Sequence, residues 1–134
     1  MSLILGKKPF DVLCDLVLYI NYLGPLIYSD DEIEEVCKSY HEKIWNGVYK
    51  FKIHNKNRLQ IFQNVKAKTG YNIPASCFAC LCAYVRKVKT GHKGRACDLC
   101  PCELNCYTEG SIFRRYNCDG DTSVAIAIKN SWKN

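Results

Sequence analysis

The sequence predicts a mainly α-helical domain containing a cysteine zinc knuckle, and three observations carry that prediction. Apolar residues recur at helical spacing in segments punctuated by Gly and Pro. Eight of the ten cysteines fall between Cys77 and Cys118. Among them Cys77-x-x-Cys80 and Cys97-x-x-Cys100 are separated by sixteen residues, the paired spacing of a tetrahedral four-thiolate site. A chain of 134 residues supports one domain with a modest core. The expected organisation is therefore a single zinc-stabilised unit over 1–134, its helical N-terminal half packed on a Cys-rich C-terminal half. The alternative is an α+β fold in which Val48 to Ile53 pairs with residues near Phe113 as a short two-stranded ribbon.

The first helix runs from about Pro9 to Tyr22, where Phe10, Leu13, Cys14, Val17 and Leu18 share a face until Gly24-Pro25 stops it. A second helix opens at Ser29, an N-cap candidate with Glu32 three residues later to complete a capping box. Asp30 and Asp31 favour its first-turn dipole. Ile33, Val36, Cys37, Tyr40 and Ile44 form its apolar stripe, and the helix is expected to end before Gly47. Val48 to Ile53 partly alternates apolar and polar, which permits a short strand or a loop. Asn57 caps a third helix with Leu59, Ile61, Phe62 and Val65 on its buried side. Ala75 to Lys89 reads as a fourth, with Phe78, Leu81, Cys82 and Val85 as its stripe. A short C-terminal helix begins near Asp121 or Thr122 and buries Val124, Ile126, Ala127, Ile128 and Trp132.

Cys77 and Cys80 lie near the start of the fourth helix, where free amides and the dipole stabilise thiolates. Gly91 and Gly94 bracket a basic turn that returns Cys97 and Cys100 to them. Cys77, Cys80, Cys97 and Cys100 are thus the expected ligands of one Zn2+, while Cys82, Cys102, Cys106 and Cys118 supply a further candidate set. His54 and His92 have no regular ligand spacing. Disulfides of a secreted domain, and thiols packed as small apolar groups, are the competing readings. Cys14 and Cys37 lie on apolar helix faces and read as packed thiols. The N-terminus resembles no signal peptide, since Asp15 interrupts its apolar stretch, and no run approaches the ~18 apolar residues of a spanning helix. A reducing cytosol and no membrane are expected.

Catalytic patterns are missing. There is no H-x-E to accompany a zinc deaminase signature, His41-Glu42 lacks the rest of a metalloprotease motif, and no Gly-rich phosphate loop occurs. A closed four-thiolate shell also leaves no coordination position for substrate. A non-enzyme without a small-molecule substrate is the expectation.

Cys77-Phe-Ala-Cys80, then Cys97-Asp-Leu-Cys100-Pro101, Cys106 and Gly110-Ser111-Ile112-Phe113-Arg114-Arg115-Tyr116, resembles a loose group of small uncharacterised bacteriophage proteins. The resemblance covers roughly Ser76 to the end; Cys82, Cys102 and Cys118 depart from the pattern. It implies metal binding, a viral protein and a host-cytoplasm location. It implies no activity.

Charge is unevenly placed. The first 37 residues hold seven acids against Lys7 and Lys8, whereas Lys38 through Lys68 hold eight bases against Glu42 alone. Lys50, Lys52, Lys56 and Arg58 read as a solvent-facing segment, and Arg86, Lys87, Lys89, Lys93 and Arg95 continue the excess. If these residues converge they fit phosphate backbones or an acidic protein surface. Nucleic acid, or a nucleic-acid-associated complex, is the first expected partner. An inhibitor of a host defence protein, anchored by exposed tyrosines and Trp45 or Trp132, is the second. Tyr49, Phe51 and Tyr84 would stack on bases from the surface, but their apolar neighbours place them in the core.

Overall fold

The computed structural model describes residues 8–52, 56–73, 77–102 and 111–133. Among these described residues six helices follow one another: α1 (Pro9–Ile20), α2 (Asp30–Phe51), α3 (Lys56–Thr69), α4 (Phe78–Thr90), α5 (Ile112–Asp119) and α6 (Ala125–Lys129), with 3₁₀ turns at Ala96–Leu99 and Thr122–Val124. The capping box at Ser29 forms as its sequence dictates. Ser29 Oγ accepts from the Glu32 amide at 3.2 Å, and Glu32 Oε1 accepts from the Ser29 amide at 2.9 Å. Two orphan donors are thereby satisfied at the start of the longest helix. At the C-terminal end Ser111 caps α5 through the Arg114 amide, and the Asp121 carboxylate caps the following turn through the Ser123 amide.

α2 is the spine. Ile33, Val36, Cys37, His41, Ile44, Trp45 and Val48 are all buried, a stripe at 3- and 4-residue spacing. α4 packs antiparallel against it, as four cross-links along the pair show: Lys89 with Asp30, Arg86 with Glu34, Cys82 with Cys37, and Phe78 stacked on Tyr40 at 5.0 Å. Beyond Tyr40 the C-terminal segments take over. Trp45 meets Tyr116 edge-on at 4.7 Å and Phe113 at 6.3 Å, which fixes α5 to α2. Both tryptophans are core residues, Trp45 at 1% and Trp132 at 5% exposure, and neither is available as a surface anchor.

His41 joins α2 to the end of the chain. Its Nε2 donates to the carbonyls of Ile128 and Lys129, at 3.0 and 3.2 Å, joining the Ser131 amide and hydroxyl that also reach the Ile128 carbonyl at the end of α6. The ring lies 5.2 Å from that of Trp132. Burial drives its pKa below the ordinary value, although the two carbonyls pull the other way.

The zinc knuckle and the ribbon of the expected fold are both overturned, while its helical content stands. Among the described residues no strand forms; the one bridge joins Cys102 to Trp132. Val48 to Phe51 is the last turn of α2, and Phe113 belongs to α5. Gly47 does not end α2, because the stripe through Ile44, Trp45 and Val48 continues across it. Burial of those side chains outweighs the ~1 kcal/mol that an interior glycine costs a helix. Among the described residues Tyr22 and Lys52 are the non-glycine residues with positive φ, at 60° and 55°, and they terminate α1 and α2 respectively.

His41 generates a pH prediction. Its pKa is depressed in the fold, so below pH 6.5 the unfolded chain takes up a proton that the folded chain resists. The histidine's contribution is full above that value and declines as pH falls beneath it. Denaturation midpoints are expected to drop between pH 7 and pH 5, and to drop less in His41→Gln; equal slopes in the two proteins would contradict this role.

Candidate functional site

Several cysteines come near one another where α2, α4 and the segment after α4 meet, but among the described residues no three of them are placed to hold a metal ion. Cys77 is the N-cap residue of α4 and is buried, Cys80 is half-buried one turn later, and Cys82 points into the interior. There Cys82 meets Cys37 of α2, whose thiol donates to it and is itself raised well above the ordinary range by that bond and by burial. Cys97 sits half-buried on the 3₁₀ turn. Cys100 is engaged by Cys102, whose thiol donates to its sulfur and whose amide lies 3.4 Å from it. That thiol, helped by the amide and by the positive charges of Lys133 and Arg86, lowers the Cys100 pKa to about 7 and raises that of Cys102. Cys118 is exposed on α5, and Cys106 and His54 lie outside the described residues.

The expected zinc site is therefore withdrawn. Among the described residues no group of three or more His, Cys, Asp or Glu side chains is placed to hold a metal ion. With it go Zn2+ as cofactor, zinc as the stabiliser of the fold, and every metal role assigned to Cys77, Cys80, Cys97 and Cys100 or to Cys82, Cys102 and Cys118. The spacing that predicted a site is real, but Cys100 of the first set is engaged by Cys102, and Cys82 of the second by Cys37. The loop between the two C-x-x-C pairs is instead held by its own contacts. Arg86 donates to the Leu99 carbonyl at 3.1 Å, and His92 Nε2 meets Asp98 Oδ2 at 3.1 Å. A Cβ at Gly94 would come within 2.5 Å of that carboxylate and 2.7 Å of that imidazole nitrogen, so any larger residue there would push the pair apart.

The basic residues separate into three groups. Arg58 is buried at 6% exposure, its guanidinium 5.8 Å from the Phe113 ring centroid and 6.0 Å from that of Tyr116. It is a core cation held over aromatic faces, not the solvent-facing residue that its sequence neighbours suggest. Arg86 and Lys89 spend their charge on Glu34 and Asp30, tying α4 to the first turns of α2. Lys87 is half-buried on α4, and Lys93 and Arg95 are exposed just beyond it. Because α4 is antiparallel to α2, these residues lie toward the N-terminal end of α2. Lys50 and Lys52 are exposed at the opposite end; the side chain of Lys56 is outside the described set.

The C-terminal end of α2 departs most from what its sequence suggests. Tyr49 is 49% exposed and Phe51 66%, while Tyr84 is half-buried. Tyr49 and Phe51 continue the apolar run of Trp45 and Val48, which is why they read as core. α4, however, begins at Phe78 opposite Tyr40, so the last turns of α2 run past its end. Lys52 turns back in the left-handed conformation and sets its ammonium 4.9 Å from the Tyr49 ring centroid. Between residues 43 and 97 the chain has twelve Lys and Arg and no Asp or Glu. That run is the signal that singles out this end of α2.

No family model, curated protein or solved structure matches the chain. Among the described residues no helix is long and apolar enough to cross a membrane.

Metal removal tests the correction on zinc. Dialysis of the purified protein against a strong chelator is expected to leave its thermal midpoint unchanged. A fall on chelation that zinc alone restores would reinstate a structural ion.

Proposed function

We propose that this chain is a non-catalytic protein that binds nucleic acid through the C-terminal end of α2. The observation that supports the reading is the pairing of exposed Lys50 and Lys52 with exposed Tyr49 and Phe51, inside a 55-residue stretch, 43–97, that contains no acidic side chain. Phosphate contacts need cations that are not already neutralised. Among the described residues neither Lys50 nor Lys52 forms an ion pair, in contrast to Arg86 and Lys89. Lys50 also complements the negative end of the α2 dipole, but that interaction leaves its ammonium in solvent.

The reading uses positive charge to attract and aromatic surface to hold, and it assigns no proton transfer or nucleophile to any residue. An acidic protein surface offers the same attraction to the lysines but no planar bases for the rings. The partner is accordingly the class that satisfies both.

Binding of short labelled oligonucleotides should weaken steeply with salt. Reversing Lys50 and Lys52 to Glu should reduce the slope of log affinity against log salt by about 0.7 for each single-strand phosphate that the variant no longer neutralises. That double variant should still unfold cooperatively, with a loss of no more than about 1–2 kcal/mol from placing two anions at the negative end of the α2 dipole. Arg58→Glu is the opposite case, since it places an anion in a buried site built for a cation, and should cost more than ~3 kcal/mol of stability. Absence of oligonucleotide binding at low ionic strength, with the fold intact, would reject the reading.

A further inference from the structure

We infer that the ligand at this end of α2 is a single strand, with bases stacked on Tyr49 and Phe51 and the backbone drawn across Lys50. The inference rests on the nucleic-acid reading above and narrows it to one form of the polymer. Three features of the α2 tip argue for it together.

The first is what the rings offer. Side chains two positions apart on a helix stand about 200° apart around its axis, with the intervening residue about 100° from each. Tyr49, Lys50 and Phe51 therefore fan around the helix end, a cation between two aromatic faces. A flexible strand satisfies that fan by winding around the helix end, with a base on each ring and the intervening backbone phosphates passing the lysine. A duplex keeps its bases stacked on one another inside a rigid helix and presents phosphates and groove edges but no base faces for the rings to stack on.

The second is that, among the described residues, neither ring packs against another aromatic side chain. Aromatics in and around the core pack on one another: Trp45 with Tyr116 at 4.7 Å, Phe62 with Phe78 at 5.5 Å, and Tyr40 with Phe78. Phe51, at 66% exposure, is the most exposed phenylalanine among the described residues. The third is the backbone. Lys52 adopts φ 55°, a conformation that glycine or asparagine enters at less cost, and in doing so brings its ammonium over Tyr49. That cation steadies one ring as a platform and places a second positive charge beside it.

The test compares a labelled single-stranded oligonucleotide with the duplex of the same sequence, by fluorescence anisotropy at low salt, on the full chain. The single strand is expected to bind at least ~10-fold more tightly, and Tyr49→Ala and Phe51→Ala are each expected to weaken it about 5- to 150-fold. Duplex affinity should be nearly unchanged by either substitution. Phe51→Trp should retain binding, and its emission should be quenched when the single strand is added. Thermal unfolding of each variant should match the native protein, which separates stacking from folding. Equal affinity for both forms, or alanine variants that bind the single strand as well as the native chain, would overturn the inference while leaving phosphate binding in place. Failure of both forms to bind would remove the functional reading itself, and this inference with it.

Discussion

Burial of one continuous face of α2 is the constraint on which the rest of this structure depends. Seven side chains from Ile33 to Val48 occupy that face, and all are buried. At about 1.5–3 kcal/mol for each large apolar side chain removed from water, the face outweighs every local preference along the helix, Gly47 included. It also assigns places to the other elements. α4 lies along its first half, and the aromatic rings of α5, with α6, cover its second half. His41 stands at the junction, using its single imidazole donor on the carbonyls that end α6.

The same constraint explains why the tip of α2 is exposed. The apolar run continues through Tyr49 and Phe51, yet the elements that cover it do not. A helix that overruns its core exposes rings that its sequence marks as buried. Lysines alternate with those rings, so the overrun is both apolar and cationic. The buried cation of this region, Arg58, belongs to a different role: it lies against Phe113 and Tyr116 within the core. The core cation and the proposed binding surface are thus only a few positions apart in sequence.

Much of the helical architecture is legible in the sequence. Ser29 and Glu32 identify the start of α2 because capping is a local interaction that needs no knowledge of the rest of the chain. The stripes of α1 and α4 are legible for the same reason, as are the packed thiols Cys14 and Cys37. What the sequence hides is tertiary. Cysteine spacing says that two pairs of sulfurs can reach an ion, but not that Cys82 faces Cys37 or that Cys102 occupies Cys100. His41 escapes notice because a polar residue in an apolar stripe declares itself only when its acceptors, 87 and 88 residues away, are in view. Arg58 reads as solvated because a cation over two rings cannot be inferred from its neighbours in sequence. The exposure of Phe51 depends on where another helix begins.

Native-state hydrogen exchange along α2 tests the central claim most directly. If the buried face organises the fold, amides from Val36 to Val48 should exchange only through global unfolding, with the same denaturant dependence as the whole-protein transition. Those at the tip, from Tyr49 onward, should exchange through local opening. Exchange of the Val36 to Val48 amides by a smaller, local opening while the other helices stay protected would contradict the account.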